Sequence, residues 1–202
     1  MPPSRSRATT ADRPFYGVAE AIVAEVEDPE KECRVRVRLP WFDDGELSDW
    51  CRCVHVLAGN GYGATWTPEV GDEVLVGFVH GDMRVPVVFG GLYNGADKPR
   101  SPRTAGRNRK TLRTKAGHEV ALDDSPGSEA VEVRTAAGHR LLLDDTANRI
   151  TLEIANGPSV VLDQAGGSIV LKGTSITLEA TTITISAGGT LDAKGRPIQL
   201  NS

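Results

Sequence analysis

Every aromatic side chain of this 202-residue chain lies at or before Tyr93, and the remaining half contains none of the three Trp, three Tyr or four Phe. A self-contained domain of about a hundred residues normally draws much of its buried area from such rings. The second half must therefore build its core from aliphatic side chains alone. Either it packs against copies of itself, or it is highly repetitive.

It is repetitive. Thr114-Lys-Ala-Gly-His-Glu-Val-Ala-Leu-Asp-Asp124 recurs as Thr135-Ala-Ala-Gly-His-Arg-Leu-Leu-Leu-Asp-Asp145, 21 residues on, and Gly157-Pro-Ser-Val-Val-Leu-Asp163 is a weaker third copy. Short alternating segments fill the rest: Val131/Val133, Ile150/Leu152/Ile154, Ile169/Leu171, Ile176/Leu178, Ile183/Ile185 and Ile198/Leu200. Alternation with period two predicts half-buried strands. Repeated short strands predict a solenoid whose units bury their apolar faces only by stacking. Strands of three to five residues are too narrow for one chain to enclose a core, whereas three chains can each supply one wall of a prism. The expected axis residues are Ile169, Leu171, Ile176, Leu178, Ile183 and Ile185, and neighbouring chains are expected to pair the strand edges.

The first half reads differently. Residues 1–14 have little apolar content and read as a flexible arm. From residue 15 to 95 the pattern predicts five strands: Val18–Val26, Arg34–Leu39, Cys51–Val56, Glu73–Val79 and Val85–Phe89. Val35, Val37 and Leu39 share one face, with Arg34, Arg36 and Arg38 on the other. Asp43-Asp-Gly45 predicts a turn and Gly81-Asp82 a hairpin. Gly59-Asn-Gly-Tyr-Gly63 reads as a flexible loop, with Tyr62 and Trp66 packing on the barrel or on a neighbouring subunit. Five short strands fit a small Greek-key barrel of the OB type. Residues 96–110 are rich in Pro, Gly and basic residues and read as a linker, which leaves 111–202 for the repeats.

Several function classes lose support. A net charge of −4 gives no case for nucleic-acid binding. No apolar run is long enough for a transmembrane helix, and no apolar segment follows the basic N-terminus as a secretory signal requires. Cys51 and Cys53 share a strand face, but no second pair completes a zinc site, so the three cysteines read as free thiols and no metal is expected. His118 and His139, with Asp123/Asp124 and Asp144/Asp145, are candidate general bases or ligands; the simpler reading is duplicated turns. No nucleophile elbow, zincin motif or phosphate loop is present, so no catalytic residue and no cofactor is expected.

The segments Cys33-Arg-Val-Arg-Val-Arg-Leu-Pro-Trp41, Gly59-Asn-Gly-Tyr-Gly-Ala64, Pro68-Glu-Val-Gly-Asp-Glu-Val-Leu-Val76, Gly81-Asp-Met-Arg-Val-Pro86 and Gly91-Leu-Tyr-Asn94 resemble, in order, the OB-fold core of phage baseplate assembly protein V and VgrG-type spikes. The repeats beyond residue 110 resemble that family's C-terminal β-helix. The resemblance implies an all-β chain: an OB-fold barrel followed by an intertwined, triple-stranded β-helix in a homotrimer. It further implies a structural, non-enzymatic spike made in the bacterial cytoplasm for a phage tail or phage-tail-like particle. That spike would lie below a separate hub protein and meet the target membrane only transiently. No His follows His139, so the metal-binding apex of some relatives is not expected, and a PAAR-type tip protein is expected instead, docked on Arg196, Pro197, Ile198 and Leu200. A trimeric phage fibre or adhesin, and an OB-fold module for single-stranded nucleic acid or sugar, are the alternatives.

Overall fold

A computed structural model describes residues 14–41 and 46–198. The expected arm, except for Pro14, the turn at 43–45 and Leu200 lie outside the described residues. The chain divides into two compact units at Pro102/Arg103. No α-helix occurs among the described residues.

The N-terminal unit holds strands β1 (Val18–Glu25), β2 (Arg36–Arg38), β3 (Arg52–Cys53), β4 (Ala58–Gly59), β5 (Tyr62–Gly63), β6 (Glu73–Phe78) and β7 (Pro86–Gly91). Five of them form one sheet in the order β2-β1-β6-β7-β3. Its two edges meet. Val35 and Cys51 form an antiparallel bridge, exchanging both backbone hydrogen bonds at 3.0 and 2.7 Å. The sheet thus closes on itself, and closure removes the free edges. Inside lie Ala21, Val23, Val35, Val37, Leu39, Cys51, Val74, Val76, Phe78 and Val88. The alternation of Val35, Val37 and Leu39 therefore points into the barrel. Phe15 and Met83 pack against this core from outside it, and Phe15 stacks on Trp41 at 5.5 Å.

Two expectations are corrected here. The glycine-rich stretch at 59–63 forms a two-stranded hairpin, β4 with β5. Tyr62 lies over Gly59, where a Cβ would strike its ring. Tyr62 and Trp66 are both mostly exposed. The expected strand 51–56 is confined to Arg52–Cys53, and Val56 stands in solvent. The hairpin at Gly81-Asp82 is present as a 3-10 turn over Val79–Gly81 joining β6 to β7.

The loop before β2 is organised by one carboxylate. Asp28 accepts the backbone N–H groups of Glu30, Glu32 and Arg34 and a bidentate pair from the Arg34 guanidinium at 3.0 and 2.8 Å. The Arg34 guanidinium, helped by those amides against the cost of burial, holds the Asp28 carboxyl well below its ordinary value of 3.8.

The C-terminal unit is a single meander of seven five-residue strands: β8 (Arg109–Arg113), β9 (Glu119–Asp123), β10 (Ala130–Arg134), β11 (Arg140–Asp144), β12 (Arg149–Glu153), β13 (Ser159–Asp163) and β14 (Ser168–Lys172). All six pairings are antiparallel and free of bulges. Over 109–172, then, the backbone ladder is completed within the chain's own sheet. Neighbouring strands of the meander pair within the chain, and among the described residues the outer edges of β8 and β14 remain open. From 173 to 198 no described residue belongs to a strand and all are exposed, including the expected segments at Ile176/Leu178 and Ile183/Ile185.

Because the folded Asp28 is more acidic than the unfolded one, its contribution to stability is present above about pH 4 and is lost as pH falls. Asp28→Asn should lower N-terminal unit stability at pH 7, and the deficit should shrink steadily below pH 4. Urea unfolding followed by tryptophan fluorescence checks this, since all three Trp lie in this unit.

Candidate assembly interface

In a strand, successive side chains point to opposite faces. The bulge-free register of the meander therefore sorts its residues into columns. One face carries two. The first runs Leu112, Val120, Val133, Leu141, Leu152, Val160, Leu171, each opposite the next. The second runs Lys110, Leu122, Val131, Leu143, Ile150, Leu162, Ile169. Thirteen aliphatic side chains thus share one surface, interrupted only by Lys110 at the first edge.

The opposite face is polar except for Ala121, Leu142, Val161 and Val170 in its middle column and Ala130, yet it is the better covered. Ala121 is 1% exposed and Glu132 6%, whereas Leu122 is 48% and Ile169 72% exposed. The polar face covers itself with long charged side chains that lie across the strands. Arg109 reaches Glu119 at 3.1 Å and Glu132 at 2.8 Å. Arg140 contacts Glu132 at 2.9 Å and Arg113 contacts Glu119 at 2.8 Å. Arg149 meets Asp163 at 2.6 Å. Burial pushes the Glu132 carboxyl up, but the Arg109 and Arg134 hydrogen bonds outweigh it and its pKa is lowered. The Arg113 and Arg109 guanidinium groups lower that of Glu119. These pairs favour the ionised form of Glu119 and Glu132 on that face.

The duplicated motifs build the turns. Thr114 and Thr135 each accept the amide of the histidine four residues on, at 3.1 Å. Gly117 and Gly138 take the left-handed conformation that these turns require (φ 99° and 90°). Each histidine then reaches the next repeat: His118 Nδ1 accepts the Ala136 N–H and His139 Nδ1 the Ala155 N–H, both at 3.2 Å. At the opposite strand ends, Asp144 and Asp163 accept the amides of Ala147 and Gly166. Five-residue strands, roughly 15 Å long, separate His118 from Asp123/Asp124 and His139 from Asp144/Asp145. The candidate His/Asp groups are not brought together; they stitch successive turns. The sequence shows the copied Gly-His step but not its acceptor role, because the partner amide lies 16 to 18 residues away.

Other candidates are also placed. Ile169, Leu171, Ile176, Leu178, Ile183 and Ile185 are all exposed in the single chain. Arg196 and Pro197 are exposed, as is Ile198. Cys33, Cys51 and Cys53 are free; burial pushes the Cys53 thiol up to about 11, which disfavours the reactive thiolate. No metal-ligating group of three side chains occurs among the described residues. Two arginines of the expected basic stripe are engaged, Arg34 by Asp28, Glu30 and Glu32 and Arg36 by Glu25.

A family model described as the type VI secretion system/phage-baseplate injector OB domain matches residues 19–93. Another, the phage baseplate V C-terminal trimerisation domain, matches residues 130–201. The chain is similar to the type VI secretion system spike protein VgrG4b of Pseudomonas aeruginosa, 34% identical over 131 residues, 58% of this chain and 16% of that protein. It is also similar to spike protein VgrG3 of Vibrio cholerae, 30% identical over 107 residues, 48% of this chain and 10% of that one. The actin cross-linking toxin VgrG1 of Vibrio cholerae is 29% identical over 126 residues, 54% of this chain and 12% of the toxin. The chain thus spans 10–16% of the length of these relatives. The all-β architecture and the two family matches define an OB-fold barrel followed by a trimeric β-helix domain.

Loss of the His118 acceptor should leave the Ala136 amide unpaired. His118→Ala is expected to cost about 0.5–1.5 kcal/mol and to speed hydrogen exchange at Ala136 while leaving Ala155 unchanged, as amide exchange by NMR or mass spectrometry will read.

Proposed function

This chain belongs to the baseplate V/VgrG-like spike proteins, and on that premise we propose that it is the homotrimeric central spike of a contractile, phage-tail-like injection system. The observation that carries the proposal is the inverted sheet: thirteen aliphatic side chains on one open face, with a self-covered polar face behind them. Burying each half-exposed aliphatic contributes on the order of 1 kcal/mol. Thirteen per chain compare well with the roughly 4–15 kcal/mol of freedom lost on association. Three such faces turned inward form a narrow aliphatic prism with the ion-paired faces outward. Columns of Val, Leu and Ile suit that axis, where aromatic rings would not fit.

The role is mechanical. A spike must stay folded while driven into an envelope, and a dry aliphatic axis with a bulge-free ladder resists local opening. The spike joins a separate hub protein to a PAAR-type tip protein, punctures the target envelope, and catalyses nothing itself. The toxin activity in the name of VgrG1 is a property of that protein, of which the shared stretch is a small part. The nucleic-acid reading is less well supported, because Arg34 and Arg36 are already ion-paired; a trimeric fibre would share the aliphatic face, and its place in the particle separates it from a spike.

Light scattering at micromolar concentration should give three times the chain mass; a stable monomer refutes the proposal. Leu143→Asp should dissociate or unfold the trimer, because it places three carboxylates at a dry axis, where charge is very costly. Electron microscopy of the intact particle should locate the protein on the tube axis and not at the periphery.

The tip assignment generates a separate expectation. Deleting Arg196–Ser202 should leave a folded trimer that no longer retains the PAAR-type protein in a pull-down. Retention by the truncated trimer refutes docking at Arg196, Pro197, Ile198 and Leu200.

A further inference from the structure

The barrel closes at one antiparallel bridge, and two of the three cysteines lie just past it. Val35 and Cys51 exchange both backbone hydrogen bonds, at 3.0 and 2.7 Å. Antiparallel strands step in opposite directions, so the same register sets Cys33 across from Cys53. Paired residues of this kind hold their Cα atoms about 5.5 Å apart, inside the span of about 4.4–6.8 Å that a disulfide bridges. Cys33 and Cys53 are both half-buried, and Cys53 packs against the barrel core. Burial first, and then the Cys51 and Cys33 thiols, raise the Cys53 pKa; a neighbouring group exerts that effect only from close by.

Cys51 does not compete. It is fully buried, and its thiol donates to the Asp49 carbonyl at 3.2 Å and lies 3.1 Å from Ser48 Oγ. Cys33 is held differently. Asp28 Oδ2 accepts the amides of Glu32 and Arg34 on either side of it. Cys33 itself takes a left-handed φ of 58°, uncommon for a residue with a Cβ. The loop thus fixes a costly backbone conformation at a cysteine that also lines an open surface cavity, with Lys31, Thr67 and Pro68.

We propose that Cys33 and Cys53 are a latent disulfide: a small-molecule disulfide such as oxidised glutathione joins them and staples the barrel seam. The Cys33 thiolate, reached from the cavity, attacks one sulfur of the oxidant and expels one glutathione, leaving a mixed disulfide. The Cys53 thiol then gives up its proton and attacks the Cys33 sulfur, expelling the second glutathione. Each proton lost by a cysteine is taken up by a released glutathione; two protein thiols are oxidised and one disulfide is reduced. The raised Cys53 pKa slows the second step, but that attack is intramolecular and gains from proximity. Compartment sets the state: the thiols stay free where the glutathione pool is reduced and join in oxidising surroundings. The staple lies wholly within the barrel, so it forms whether or not the chain serves as a spike.

The test uses the full chain, reduced, incubated with oxidised glutathione and then alkylated with iodoacetamide in denaturant. Trypsin cuts after Lys31, Arg34, Arg38, Arg52 and Arg84, so the three cysteines fall on separate peptides. Non-reducing mass spectrometry should show peptide 32–34 linked to peptide 53–84 within one chain, with Cys51 alkylated. Cys53→Ser should stop at the mixed disulfide on Cys33. The oxidised chain should unfold at a urea midpoint about 1–3 M above the reduced chain, read by tryptophan fluorescence, and Cys33→Ser should lose that shift. Should Cys53→Ser fail to fold, the parent chain and Cys33→Ser carry the test. Three cysteines that all stay alkylatable, a mixed disulfide that persists in the parent chain, a link to Cys51 or between two chains, or a midpoint that oxidation leaves unchanged overturns the proposal.

Discussion

The aliphatic face of the seven-stranded sheet is the constraint on which the C-terminal half depends. Hydrogen bonding between neighbouring strands there is made within the chain, so apart from the outer edges of β8 and β14 backbone satisfaction does not call for a partner over residues 109–172. Apolar exposure does. A sheet with one aliphatic face stays dry only when that face meets another apolar surface, and the described residues of the unit contain no other layer to supply it. The charged face has no such need: Glu119 and Glu132 are held among arginines of their own sheet. In the proposed trimer, chemistry sets which side faces inward: aliphatic columns to the axis, ion pairs to solvent.

The N-terminal half solves the same edge problem by another route. Its sheet closes through the Val35–Cys51 bridge and buries its own core. The contrast explains why the aromatics are where they are. Phe15, Trp41 and Phe78 fill space in and around a barrel that one chain can enclose. The meander has no enclosed space, and its turns are held by short polar groups such as Thr114, His118 and Asp144.

Much of this was legible in the residues. The alternation of Val35, Val37 and Leu39 places them inside a barrel, and the period-two pattern of Val131/Val133 and Ile150/Leu152 places strands where they occur. Less legible were features that depend on what lies opposite. The glycine-rich 59–63 stretch signals freedom, but its hairpin depends on Tyr62 closing over Gly59. His118 and Asp123 are candidate partners in the sequence, five residues apart, with duplicated turns as the simpler reading. In a strand that distance becomes the length of the sheet, and each serves a different turn.

Side-chain order alone set the periods, the polarity of each face and the exclusion of aromatics from the second half, since these follow from two-residue alternation and residue type. Which partner each strand takes was settled by the folded chain. A five-residue strand with a left-handed turn residue reverses and pairs with its own chain, and that outcome depends on the turn geometry and on the amide that His118 or His139 accepts across 16 to 18 residues. Alternation is the same whether a strand's neighbour is its own chain or another, so only the folded ladder separates residues 109–172, whose strands pair within the chain, from the described residues beyond Lys172, which belong to no strand.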